Sequence, residues 1–168
     1  MKIPSIAEID IKEKKIFIRV DLDVPVDKSG AVGEAWKIER ILPTVRYALQ
    51  QKAKVILAAH RGKPGGKVVR RYSLEAVGAR LSQALGCEIY FPEDSVGDAV
   101  KKVSVDMPAG SVMLLENLDF HKRELEDSMD YAKKLAEIAD IYVNEAFTVS
   151  NQKRASLSAI AGLFNTVC

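Results

Sequence analysis

Two carboxylates one residue apart, Asp21 and Asp23, follow a β-branched apolar run and precede Pro25. In that setting they could hold a metal ion or the hydroxyls of a sugar, or simply make the acidic turn that often ends a strand. His60 closes a second apolar run and leads into Arg61, Gly62 and Lys63. With Lys67, Arg70 and Arg71, these cations could attract an anion or stand as a solvated loop. Glu116, Asn117 and Asp119 close a further run, and Asn144 and Glu145 another. Familiar catalytic motifs are missing. There is no Gly-x-Gly-x-x-Gly, and residues 62–67 fail as a nucleotide P-loop in spacing, with Val68 where a magnesium-binding Ser or Thr belongs. Neither His60 nor His121 has a Ser or Cys nucleophile that the sequence assigns to it. Cys87 and Cys168 form no disulfide framework and have no zinc spacing, so Cys87 reads as an inert core thiol and no metal site is expected.

Such residues need elements to position them. Residues 15–20 (Lys-Ile-Phe-Ile-Arg-Val) read as a buried strand running into the Asp21 turn, and residues 54–60 as a second. Residues 87–91, 111–115 and 141–143 supply three more. Between the first two, residues 36–52 place Ile38, Ile41, Leu42, Val45 and Leu49 at helical spacing, with Pro43 tolerable only near the first turns. Further helices are expected from a Ser73 N-cap to a stop at Gly86, around 96–103, and around 129–139. Short apolar strands alternating with amphipathic helices predict a three-layer α/β domain, a mainly parallel sheet with helices on both faces. In such a sheet, ligands collect in the crevice beyond the carboxyl ends of the strands. Arg19, Asp21 and Asp23 after the first strand, His60, Arg61 and Lys63 after the second, Glu116, Asn117 and Asp119 after the fourth, and Asn144 and Glu145 after the fifth all fall there.

Composition narrows the partners. The chain has 168 residues, with 25 Lys+Arg against 23 Asp+Glu and a formal net charge of +2. One domain over residues 1–168 is expected, large enough to bury roughly 70% of its unfolded surface. No concentrated basic surface suggests nucleic acid, and no apolar run approaches the roughly 18 residues of a membrane span. The first fifteen residues are broken by charge too often for a signal peptide, so a cytoplasmic setting is expected.

Taken in order, the strand-end segments resemble the N-terminal domain of phosphoglycerate kinase. Residues 17–25 (Phe-Ile-Arg-Val-Asp-Leu-Asp-Val-Pro) are similar to the family's first signature, and residues 41–45 to the helix that follows. Residues 54–64 resemble its strand and H-x-G-R-P loop, residues 114–121 its L-E-N-x-R-F-H segment, and residues 139–147 its A-D-x-x-V-N-D-A-F segment. Arg154-Ala155-Ser156 resembles the later Ala-Ser. The likeness implies a Rossmann-like domain that holds 3-phosphoglycerate or 1,3-bisphosphoglycerate for phosphoryl transfer in glycolysis. Mg-ATP or Mg-ADP belongs to a C-terminal domain, so no cofactor is expected on this chain. The family implies Asp21 on the glycerate hydroxyl with Asp23 beside it, and the stretch His60, Arg61, Gly62, Lys63 around the carboxylate or phosphate. Lys37 would be the catalytic cation nearest the transferring group. Glu116, Asn117, Asn144 and Glu145 are expected to fix loops.

The departures from the family cluster in this site. Asp23 replaces an Asn, Lys37 and Lys63 replace Arg, Asp119 replaces an Arg, Gln152 replaces a phosphate-binding Arg, and Asn151 replaces a His. Each lost charge-assisted hydrogen bond is worth roughly 1.5–3 kcal/mol. Two losses plus repulsion by Asp119 would weaken binding by on the order of a hundredfold to ten-thousandfold. The chain stops where the family's chain continues towards its second domain. The expectation is therefore an N-terminal portion that is inactive alone, partnered by phosphoglycerate and a separate C-terminal half, and otherwise a monomer. The alternative is a non-catalytic binding module whose substrate site has decayed.

Overall fold

The structure is a computed structural model that describes residues 4–33 and 36–168; residues 1–3 and 34–35 of the expected domain lie outside it. Five strands form, β1 (Lys15–Arg19), β2 (Lys54–Ala58), β3 (Ile89–Tyr90), β4 (Val112–Leu114) and β5 (Ile141–Asn144). They make one sheet in the order β3-β4-β2-β1-β5, with every neighbour parallel. Alternate side chains go to opposite faces of a strand, and both faces here are buried. Ile16, Ile18, Val55, Leu57, Val112 and Leu114 pack into one core cluster, and Phe17, Ile56, Met113 and Tyr142 into the other. That two-sided burial explains why the strands read as continuous apolar runs.

Helices α1 (Trp36–Gln50) and α2 (Glu75–Leu85) contribute Ile38, Ile41, Val45, Val77 and Leu81 to the first cluster. On the other face, α3 (Asp98–Asp106) contributes Val100, and α5 (Met129–Ala136) contributes Tyr131, Ala132 and Leu135. A single turn, α4 (Lys122–Leu125), precedes α5. The chain steps one way across the sheet through α1 and α2, then back the other way through α3 and α5. Parallel crossovers are right-handed, so reversing direction obliges the helices to change face. The three-layer expectation is met.

Local differences have local causes. Pro43 lies in the middle of α1, not near its first turns, with its ring on the exposed side. Ser73 stands one residue before the N-cap position of α2, which is Leu74. Its hydroxyl still accepts from the Glu75 N–H at 3.2 Å and donates to Glu116 at 2.7 Å. Gly86 ends α2 in the left-handed region, φ 70°, as a C-terminal glycine should. Beyond β5, residues 166–168 lie along its outer edge, where the Asn144 N–H donates to the Cys168 carbonyl at 2.9 Å. No helix among the described residues is long and apolar enough to cross a membrane.

Gly66 shows what the glycine-rich loop is for. It has φ 77°, and a Cβ there would lie 2.7 Å from Lys122 Cα and 3.0 Å from Lys122 N. The glycine lets the loop touch the backbone of α4, while its N–H donates to the Asp119 carbonyl at 3.0 Å. Gly66→Ala combines left-handed strain with a backbone clash and should cost roughly 2–4 kcal/mol. Urea denaturation measures it, and an unchanged midpoint would show that the loop does not need this approach.

Candidate functional site

The carboxyl ends of β1, β2, β4 and β5 bring Arg19, Asp21, Asp23, His60, Asp119 and Glu145 to one edge of the sheet. Asp21 lies at the centre of the outer part. It accepts from Thr148 Oγ1 at 2.7 Å and from the Asp23 N–H at 3.1 Å, and pairs with Lys37 Nζ at 3.3 Å. Burial alone would raise its carboxyl, but these donors outweigh burial and hold it below its ordinary value. Lys37 also donates to the Asp23 carbonyl at 2.8 Å. The same hollow is lined by Trp36, Arg40 and Phe147.

The inner part is organised around a buried arginine. Arg19 on β1 is wholly buried. Its Nε donates to Ser156 Oγ at 2.9 Å, and its Nη2 lies 3.1 Å from His60 Nδ1. A guanidinium can only donate, so Nδ1 must be the acceptor and the His60 proton must sit on Nε2. That nitrogen is 4.0 Å from Asp23 Oδ2. Burial first, then the charges of Arg19 and Arg154, push the His60 imidazole down to about 4. At neutral pH it is therefore a neutral donor directed towards Asp23. Ser156 in turn donates from its N–H and its hydroxyl to Glu124, at 3.0 and 2.5 Å, and Glu124 is fully buried.

Asp119, buried at the end of the β4 loop, forms an ion pair with Arg154. Burial raises its carboxyl above the ordinary value, and Arg154 and Arg19 oppose that. The Arg154 Nε donates to Gln152 Oε1 at 2.7 Å. The positions that sequence reading singled out as lost arginines thus both touch one arginine that lies elsewhere.

The other candidates divide by role. The Gly62 N–H donates to Asp23 Oδ1 at 2.8 Å, and a Cβ on Gly62 would meet the Tyr72 ring at 2.4 Å. Arg61 points its donors at backbone carbonyls, those of Val24 (2.9 Å), Arg71 (2.6 Å) and Ser73 (3.1 Å), which makes it a clamp between loops. Lys63 is exposed on the same loop, and Gln152 is exposed on the segment after β5. Glu116 accepts from Leu74 N and Asn117 N, Asn117 bridges Arg61 and Tyr72, Asn144 accepts from Ala146 N, and Glu145 accepts from Thr44. All four hold loops, as expected. Among the described residues, no group of three or more His, Cys, Asp or Glu is arranged to hold a metal ion.

Sequence reading places Arg19 among the strand-end residues without giving it a role, and singles out none of Glu124, Thr148 or Ser156. Arg19 carried a signal, a charge inside an otherwise apolar strand. Glu124 carried none, because nothing local distinguishes it from the exposed charges around it.

Fold and site together define a parallel α/β domain with a charged crevice at the carboxyl edge of its sheet. The phosphoglycerate kinase family model matches residues 6–168. A phosphoglycerate kinase of Geotalea uraniireducens is 45% identical over 168 residues, covering 99% of this chain and 42% of that protein. The cytosolic phosphoglycerate kinase of Triticum aestivum is 42% identical over 156 residues, covering 93% and 39%. The solved structure of phosphoglycerate kinase from Coxiella burnetii superposes with a TM-score of 0.86 at 30% identity, covering 99% of this chain and 41% of that one. The chain belongs to the phosphoglycerate kinase family, and it spans about two fifths of the length of the relatives it matches.

Proposed function

We propose that this chain is the phosphoglycerate-binding half of a phosphoglycerate kinase. It would hold 3-phosphoglycerate or 1,3-bisphosphoglycerate in the strand-end crevice, in a cytoplasmic setting. Mg-ATP or Mg-ADP would come from a C-terminal half outside these residues, and phosphoryl transfer would need both. The reading is carried by the family match together with the convergence of Asp21, Lys37, Asp23 and the neutral His60 at one edge of the sheet. In it, Asp21 accepts from the glycerate hydroxyl, His60 and Lys63 meet the carboxylate or phosphate, and Lys37 is the cation nearest the transferring group. Asp23 and the Gly62 amide shape the wall beside them. Positioning and charge neutralisation are the protein's main contributions to such a transfer.

One observation favours a second reading, a binding module whose substrate site has decayed. Lys37 faces Asp21, Arg154 faces Asp119, and Arg19 has Glu124 and Asp119 within electrostatic reach, so these three cations already meet carboxylates. Calorimetric titration of the 168-residue chain with 3-phosphoglycerate separates the two. Saturable binding in the millimolar range, with no turnover in a coupled assay at high protein concentration, is expected. No heat up to about ten times that range supports decay, and turnover above background overturns the inactivity of the isolated chain.

A further inference from the structure

Arg154 is placed unlike any other cation of the crevice. Its side chain is 15% exposed, while that of its partner Asp119 is 3% exposed, so the arginine is the more solvent-open member of the pair. Its Nε is held by Gln152 and its Nη1 by Asp119, whereas Nη2 donates to no protein group among the described residues. Among the described residues, no buried side-chain nitrogen or oxygen lacks a partner, so Nη2 reaches solvent. Arg154 is also close enough to His60 and Arg19 for its charge to act on both.

The remaining cations are committed or unfixed. Arg19 is wholly buried, Arg61 donates to three carbonyls, and Lys37 bridges Asp21 and the Asp23 backbone. Lys63 is exposed and offers a single point charge on a flexible stem, and Arg40, though a guanidinium, is exposed with no hydrogen bond or ion pair among the described residues to fix it. A guanidinium immobilised by two bonds, with an outward donor left over, loses little further freedom when it meets an anion.

We propose that Arg154 is the residue with which this crevice grips an anionic group, a phosphate or a carboxylate, and that Asp119 and Gln152 position it for that contact. The proposal rests on the reading of the crevice as a phosphoglycerate site. It turns the two apparent losses, at 119 and 152, into the clamp of a displaced arginine.

The test is NMR titration of the 168-residue chain with 3-phosphoglycerate and, separately, with inorganic phosphate, following the Gly62 amide and the Arg154 Nε–H. Arg154→Gln should weaken both ligands at least tenfold, Arg154→Lys should fall between, and the exposed neighbour Lys153→Gln should stay within twofold. Arg154→Gln leaves Asp119 buried without a partner. The double variant Asp119→Asn with Arg154→Gln removes both charges and should show the same loss in a folded chain. Unchanged affinity in the folded double variant overturns the proposal and leaves the phosphoglycerate reading intact. Phosphate binding that needs Arg154, without 3-phosphoglycerate binding, supports the proposal and overturns that reading. A wild-type chain that binds neither ligand overturns both.

Discussion

Replacing Arg19 by Met is expected to destabilise the fold by about 3–5 kcal/mol, the range for leaving a buried charge without its counter-charge. The residue is on β1 with 0% exposure, and its guanidinium joins Ser156, the Val20 carbonyl and His60 in one set of hydrogen bonds. Ser156 passes the connection to Glu124, whose carboxyl is raised by burial against the pull of Arg19. Without Arg19, Glu124 is left either charged in an apolar surround or protonated, and either state carries the desolvation cost unaided. Urea denaturation at neutral pH measures the loss. Pairing Arg19→Met with Glu124→Gln removes both charges and should recover a large part of the stability. A single-variant loss below about 1 kcal/mol would show that the network is not what holds β1 to the segment at 155–159.

The second large effect is on pH dependence. The folded-state imidazole of His60 titrates at about 4, against 6.5 for an unhindered histidine. The unfolded chain therefore takes up a proton first as pH falls, and linkage removes stability in that direction. The contribution is complete above about 6.5, declines below it, and is gone near 4. A shift of that size corresponds to on the order of 3 kcal/mol. Asp21, held below its ordinary value, loses stability in the same direction at lower pH. Asp119 and Glu124, both raised, act oppositely, because in them the folded state protonates first. His60→Gln isolates the histidine. The wild-type advantage over this variant should shrink by roughly 3 kcal/mol between pH 7 and pH 4. An advantage independent of pH would contradict a buried neutral imidazole, as would an NMR titration of His60 near its ordinary value.

Much of the architecture was legible because its causes are local. β1, β2 and β4 are buried on both faces and so appear as unbroken apolar runs, and α1 and α2 show their buried stripes at helical spacing. The expected strands at 87–91 and 111–115 shrink to Ile89–Tyr90 and Val112–Leu114, because ladder pairing and not composition sets their ends. The single turn at Lys122–Leu125 and the turns at 155–163 were not foreseen. They follow the chain's packing around Glu124 and Asp127, which are tertiary contacts.

The site was legible in part. That Asp21, Asp23, His60 and Asp119 share one edge follows from parallel strands, since every strand delivers its carboxyl end to the same side. Which charge meets which could not be read. Arg154 and Asp119 are 35 residues apart, and Arg19 and Ser156 are 137 apart. A substitution of Arg by Asp looks like the loss of a ligand in one dimension. In three it is half of an ion pair whose other half lies on the segment following β5.

The sequence by itself determined the layers, the parallel sheet, the family and the edge at which chemistry is placed, because periodicity and strand-end motifs are properties of neighbouring residues. Only the tertiary structure decided the protonation and direction of His60, the clamp role of Arg61 and the pairing of Asp119 with Arg154. Those depend on burial and on donors brought together from distant strands. Electrostatic energies at such a site are set by distance and desolvation, and neither is written in residue order.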